Sequence, residues 1–195
     1  MKKHSNDFGN DSVPGLVLRT SIPFMFAQFV NVLYSIVDRI YIGNIPQIGD
    51  VSLAGAGICA PVITLLSSFA TLIGIGGSVL FSMRLGAKDQ EKAKNLLGTS
   101  FSMLLVFSAA LTILFLLLKA PLLQWFGASK TTFPYANTYM TIYTPGTFFA
   151  LLSMGMNYFI TAQGYPGLGM ATTLIGAVVN IVLDPVFIFL LHMNI

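Results

Sequence analysis

TTFPYANTYMTIYTPGTFFALLSMGMNYFITAQGYPGLGMATTLIGAVVNIVLDPVFIFLL, residues 131–191, holds one charged side chain in 61 positions, that of Asp184. A helix that spans a bilayer needs about 20 mostly apolar residues. The run is therefore long enough for two spans, parted at QGYPG (163–167), where Gly and Pro mark a tight turn. Outward from it, residues 95–118 carry no Asp, Glu, Lys or Arg, and neither do residues 51–83. Each holds one more span. A further run, 16–43, is interrupted by Asp38 and Arg39 and makes a fifth. The predicted spans are 16–43, 52–83, 95–118, 135–162 and 168–191. Several exceed the minimum, which predicts tilt, kinks or projecting ends. The apolar runs do not alternate with period two, so barrel strands are excluded.

Composition agrees. The chain is 55% hydrophobic and 9% charged, against about 25% charged in a soluble domain. Disorder needs the opposite balance, and a soluble globule could not cover its surface with so few charges. Cys59 is the only cysteine, which excludes a disulfide scaffold. The expected fold is all-α, a polytopic transmembrane bundle over 16–195 behind a polar cytoplasmic tail, 1–15. The tail is followed by a long apolar run, so the first span reads as retained and not as a cleaved signal.

The separators set the topology. Residues 44–50 carry Pro46 and Gly49; residues 84–94, RLGAKDQEKAK, are charged and amphipathic; residues 119–132 contain Pro121, Trp125 and Phe126 and read as an interfacial segment. With five spans, Lys2, Lys3, Arg19, Arg84, Lys88, Lys92 and Lys94 share one side and only Lys119 and Lys130 the other. The positive-inside rule then places the N-terminus and 84–94 in the cytoplasm, in a multi-pass protein of the cytoplasmic (plasma) membrane.

Nothing in the chain points to an enzyme: there is no HExxH, CxxC or phosphate loop. GIGG (74–77) is too short for a phosphate loop and reads as a helix–helix contact. His4 and His192 have no partner at ligand spacing, so no metal centre is expected.

Two polar faces carry the chemistry. At 100° per residue, Thr20, Ser21, Gln28, Asn31, Tyr34, Ser35, Asp38 and Arg39 fall within an arc of roughly 140° on the first span. Such a stripe turns toward other helices or a watery cavity. Polar glue between helices accounts for the Gln, Asn and Ser, and Arg39 is a candidate structural partner for Asp38. The carboxylate itself is a functional candidate. On the fifth span Gly169, Thr173, Gly176, Asn180 and Asp184 share a side, and Asn180 and Asp184 are one turn apart. Pro185 lacks the N–H that would reach the Ile181 carbonyl. A carboxylate, an amide oxygen and a free carbonyl in one turn suit a small hard cation, Na+ included; an ordinary proline kink is the alternative. Both acids lie in the outer half of the membrane and can meet. Asn157, on the fourth span between Met154 and Met156, lies nearer the cytoplasm.

YSIVDRIYIG (34–43), LAGAGICAPV (53–62), GIGGSVLFSMRLGAKDQEKAK (74–94) and AQGYPGLGMATTLIGAVVNIVLDPVFIF (162–189) together resemble the multidrug and toxin extrusion (MATE) family, in this order and at these spacings. The resemblance covers residue 16 to the end. It implies an antiporter that exports organic, often cationic drugs across the membrane against Na+ or H+, with no other cofactor. It places the ion-coupling site at Asp38, Asn180 and Asp184, with Tyr34 and Asn157 nearby; together with the stripe of the first span, the expected substrate cavity is Gln28, Asn31, Tyr34 and Asn157. The family has twelve spans in two six-helix lobes, so about five spans imply an incomplete N-lobe. The implied partners are membrane lipid, the drug, and a C-terminal lobe or partner chain, with no nucleic acid. Two alternatives stand beside this reading: a flippase for a lipid-linked precursor, whose cavity would carry several basic residues, and a small membrane protein that does not transport.

Overall fold

The computed structural model describes residues 12–190. Lys2, Lys3, His4 and His192 lie outside the described residues. Five helices follow one another: α1 (Val13–Gly43), α2 (Gly49–Gly86), α3 (Gln90–Trp125), α4 (Phe133–Ala162) and α5 (Pro166–Pro185), the last running into a π-helical turn, Val186–Leu190. No strand occurs among the described residues.

Each apolar run is a helix, but the boundaries move. The first half of the interfacial segment expected at 119–132 is helical: α3 continues through Pro121 to Trp125. A proline removes one helical hydrogen bond, and here the turn beyond it is held by Leu123, which is fully buried in the core. The charged stretch 84–94 is likewise mostly the ends of α2 and α3. Only Ala87, Lys88 and Asp89 separate the two helices, with Lys88 at φ 58°. Four helices are long and apolar enough to cross a membrane; α4, rich in Thr and Tyr, is long enough but less apolar.

Asp89 caps α3. Its side chain accepts a 3.2 Å hydrogen bond from the Lys92 backbone N–H and pairs with Lys92 Nζ at 2.9 Å. These bonds hold its carboxyl below the usual carboxylate range. Because the folded value is depressed, the stabilisation is present above the ordinary value and lost as pH falls through the folded one. Asp89→Ala is expected to speed amide exchange in the first turn of α3. Unchanged exchange at Lys92 would remove the cap from the account.

In lipid, helix association rests on close packing more than on the hydrophobic effect. The core follows that rule. Gly55, Cys59, Val62, Leu66, Ala70, Gly74, Ser78 and Phe81 form a buried stripe on α2, and Ala136, Met140, Thr144, Thr147, Leu151, Gly155 and Phe159 form its counterpart on α4. A Cβ on Gly74 would meet the Gly155 carbonyl oxygen at 3.0 Å and its Cα at 3.1 Å; one on Gly77 would meet Phe159 at 2.7 Å and Ser100 Oγ at 2.5 Å. GIGG is thus a helix–helix contact, as its sequence implied. Leu104 of α3 fills the notch at Gly155. α2, α3 and α4 form a tight three-helix core, while α1 packs chiefly against α5 and touches α2 lightly. At one end, Ile42 in the last turn of α1 and Ile45 of the α1–α2 turn cluster with Ile188 of the π turn.

Candidate functional site

A cavity of about 720 Å³ separates the α1–α5 pair from the α2–α4 face. All four helices contribute: Gln28, Asn31 and Tyr34 from α1, Ser78 and Ser82 from α2, Tyr143, Met154 and Asn157 from α4, and Thr172 and Asn180 from α5. Its walls place Ser, Thr, Asn, Gln and Tyr among Phe, Met and Ala. Among the described residues, no Asp, Glu, Lys, Arg or His lines it. Thr20, Gln28, Asn31 and Tyr34 of the α1 stripe face this space, while Ile22, Met25, Phe29, Val32 and Ile36 are exposed and do not line it. Asn31 Nδ2 donates to Gln28 Oε1 at 3.3 Å, holding the two amides side by side.

The acids stand at one end. Asp38 follows Tyr34 by one turn of α1, and Asp184 follows Asn180 by one turn of α5. The tight packing of α1 on α5 brings them together, and the charge of each carboxylate acts on the other helix: Asp38 on Asp184, and Asp184 on Tyr34. Asp38 also acts on Tyr139 and Tyr143 of α4, whose rings stack with centroids 5.5 Å apart. Asp38 is half-buried, whereas Arg39 is exposed, and among the described residues Asp38 makes no ion pair. Adjacent helical residues point to different sides, which is why Arg39 does not close on its neighbour. Among the described residues Asp38 and Arg39 thus form no close ion pair, although the charge of Arg39 still acts on the carboxylate.

Asn180 lines the cavity and is exposed to it, one turn before Asp184. Pro185 ends α5, and the backbone beyond it widens into the π turn. Such turns are frequent at functional sites. Two carboxylates, the Asn180 amide oxygen and the Ile181 carbonyl are all hard oxygen donors, so the residues present fit a monovalent cation.

Asn157 is elsewhere. It contacts Gly169 and Thr172 at the opposite end of α5 from Asp184, about 22 Å away along a helix rising 1.5 Å per residue. The predicted residues thus divide into an acidic end (Asp38, Asp184, with Tyr34 and Asn180) and a neutral end (Asn157), with Gln28 and Asn31 along the wall. The sequence reading missed Tyr139 and Tyr143. Their signal was the spacing Tyr135, Tyr139, Tyr143, one face of α4.

Residues 23–186 match the family model MatE. The multidrug export protein MepA of Staphylococcus haemolyticus (strain JCSC1435) is 29% identical over 191 residues, covering 96% of this chain and 41% of that protein. A solved structure described as MATE in the straight conformation superposes with a TM-score of 0.84 at 29% identity, over 92% of this chain and 39% of that one. A transporter of the MOP superfamily from Pyrococcus furiosus Vc1 (DSM3638), described as having a binding pocket of reverse polarity that suggests a different function, superposes at 0.85 with 28% identity, over 92% and 39%. The chain spans about two fifths of the length of the curated relatives it matches.

Proposed function

The chain belongs to the MatE family, and on that premise we propose that it forms most of the N-terminal lobe of a cation-coupled exporter of organic, often cationic compounds. One observation carries the proposal: an uncharged, hydroxyl- and amide-rich cavity with a pair of carboxylates at one end. An amphiphilic organic cation fits such a space. Its rings lie on Phe24, Met154 and Tyr143, and its charge points toward Asp38 and Asp184. A proton or a sodium ion at the two carboxylates neutralises the same end. Ion and cargo then favour different packings of the α1–α5 pair against the α2–α4 face, which is what links them. The MepA relatives, named as multidrug export proteins, support this reading.

The flippase reading calls for basic residues in the cavity, and among the described residues no Lys or Arg lines this one. The Pyrococcus furiosus protein described as reversed in polarity marks the contrast within the same fold. The proposal is tested by reconstituting a full-length protein that carries this lobe into proteoliposomes. Ethidium movement is then followed under an imposed proton or sodium gradient. Movement under one of them is expected; none under either would reject the exporter.

The lobe is oriented with the α2–α3 turn in the cytoplasm. A single cysteine at Lys88 is expected to resist an impermeant maleimide on intact cells, and one at Ser129, in the α3–α4 turn, to react. Labelling of both from outside would overturn this orientation.

A further inference from the structure

α5 packs chiefly on α1 and touches α4 far less than α4 touches α2 or α3, so what ties its cytoplasmic end to α4 in particular is a few polar atoms. The turn into α5 passes through Gly164 at φ 88°, and Gly169 lies buried four residues past Tyr165. Asn157 Nδ2 donates to the Gly169 carbonyl at 3.1 Å and to Thr172 Oγ1 at 2.8 Å. A carbonyl only accepts, so the atom facing it must be the amide nitrogen. Both amide hydrogens are thereby used on α5. The amide oxygen points to the same helix: a Cβ on Gly169 would meet it at 2.7 Å, and Thr161 Oγ1 at 3.1 Å. Thr172 Oγ1 and Thr173 Oγ1 add bonds of 2.8 and 3.2 Å to the same carbonyl.

We infer that Asn157 is a positioning residue and not a contact for the cargo: it ties the first turn of α5 to α4 and so sets where Asn180 and Asp184 stand. Asn157 borders the cavity, yet both its amide hydrogens are spent on α5 and its amide oxygen, the atom a cation would seek, lies against Gly169 of that helix. Its effect on transport runs through α5. The functional half of the inference rests on the exporter reading above; the structural half does not.

The two halves are read separately. Spin labels at Val106 of α3 and Val178 of α5, both exposed, report the position of α5, while Cys59 is fully buried and out of the label's reach. The native protein and Thr172→Ser, which keeps its hydroxyl, are expected to give one narrow distance. Asn157→Asp keeps the shape but loses both donors and is expected to broaden it, with Thr172→Val in between. If Asn157→Asp fails to fold, the comparison of Thr172→Val with Thr172→Ser decides the matter. Ethidium affinity is measured on the same variants. Loss of the tie predicts weaker binding by Asn157→Asp, about fivefold for one hydrogen bond's worth of ordering. Tighter ethidium binding by Asn157→Asp with an unchanged distance would overturn the inference, because a new carboxylate in direct contact attracts a cation. An unchanged distance in all the variants would overturn it as well. Broadening as expected with no ethidium bound even by the native protein would uphold the positioning role and reject the cargo reading.

Discussion

Asp38→Asn, in a transporter of the relatives' full length that carries this lobe, is expected to abolish gradient-driven export while leaving the protein inserted. Asparagine keeps the size of the side chain and removes its charge. The site is then held permanently in the form that a proton would give it. Asp38 is the centre of the group, since its charge acts on Tyr34, Tyr139, Tyr143 and Asp184. A site coupling free energy of 1–3 kcal/mol corresponds to about 5- to 150-fold, and the loss should approach the upper figure. Asp184→Asn is expected to do nearly the same and Asn180→Ala less. Arg39→Gln is expected to cost little, because Arg39 is exposed and makes no ion pair with Asp38. Ethidium counterflow in proteoliposomes measures all four. Native rates in both Asp variants would remove the acids from the coupling mechanism.

Gly74→Val is expected to destabilise the bundle itself. Two of the three atoms nearest a Cβ at this position belong to the backbone of Gly155, at 3.0 and 3.1 Å, and the third is Tyr158 Cδ2 at 2.5 Å. Backbone cannot rotate away, so α2 and α4 must separate and lose the contacts of the stripe on either side. Overpacking of a well-packed core costs about 1–3 kcal/mol, and a forced helix separation should lie at the top of that range. Gly76→Val is the control: nothing lies within 4 Å of its Cβ position. Thermal unfolding in detergent, followed by size-exclusion chromatography, should show a clear loss for Gly74→Val and almost none for Gly76→Val. Equal behaviour of the two would mean that the α2–α4 crossing is looser than described.

The helices were legible because charge is so sparse: wherever 20 or more residues pass without Asp, Glu, Lys or Arg, a helix lies there. Their ends were not. Residues 119–132 read as an interfacial segment, but the helix runs through Pro121 to Trp125, where Leu123 is buried on the far side; tertiary packing decides that, and no local signal reports it. The polar faces of α1 and α5 were readable from period alone, and the structure turns the neutral part of each onto one cavity, with Asp38 and Asp184 one turn beyond it. The partner of Asp38 was not readable. Sequence adjacency suggested Arg39, whose charge does act on Asp38 without closing an ion pair, whereas Tyr139, Tyr143 and Asp184 come from α4 and α5, more than 90 residues away in sequence. The sequence set Asn157 apart from the two acids, and it lies at the opposite end of α5 from Asp184, but its tie to Gly169 depends on the crossing of two helices.

The pairing of α1 with α5 has a consequence for synthesis. The helix made first finds its main neighbour only after residues 44–165 have followed it. At 5–20 residues per second, that delay is on the order of ten seconds. Throughout it, Gln28, Asn31 and Asp38 face lipid or whatever holds the nascent chain, while α2, α3 and α4 can join neighbour to neighbour as they emerge. An α1 left waiting is open to the α5 of another copy, an exchange of identical elements between chains. Slowing translation between α4 and α5 should therefore raise the share of swapped dimers, and a faster passage should suppress them.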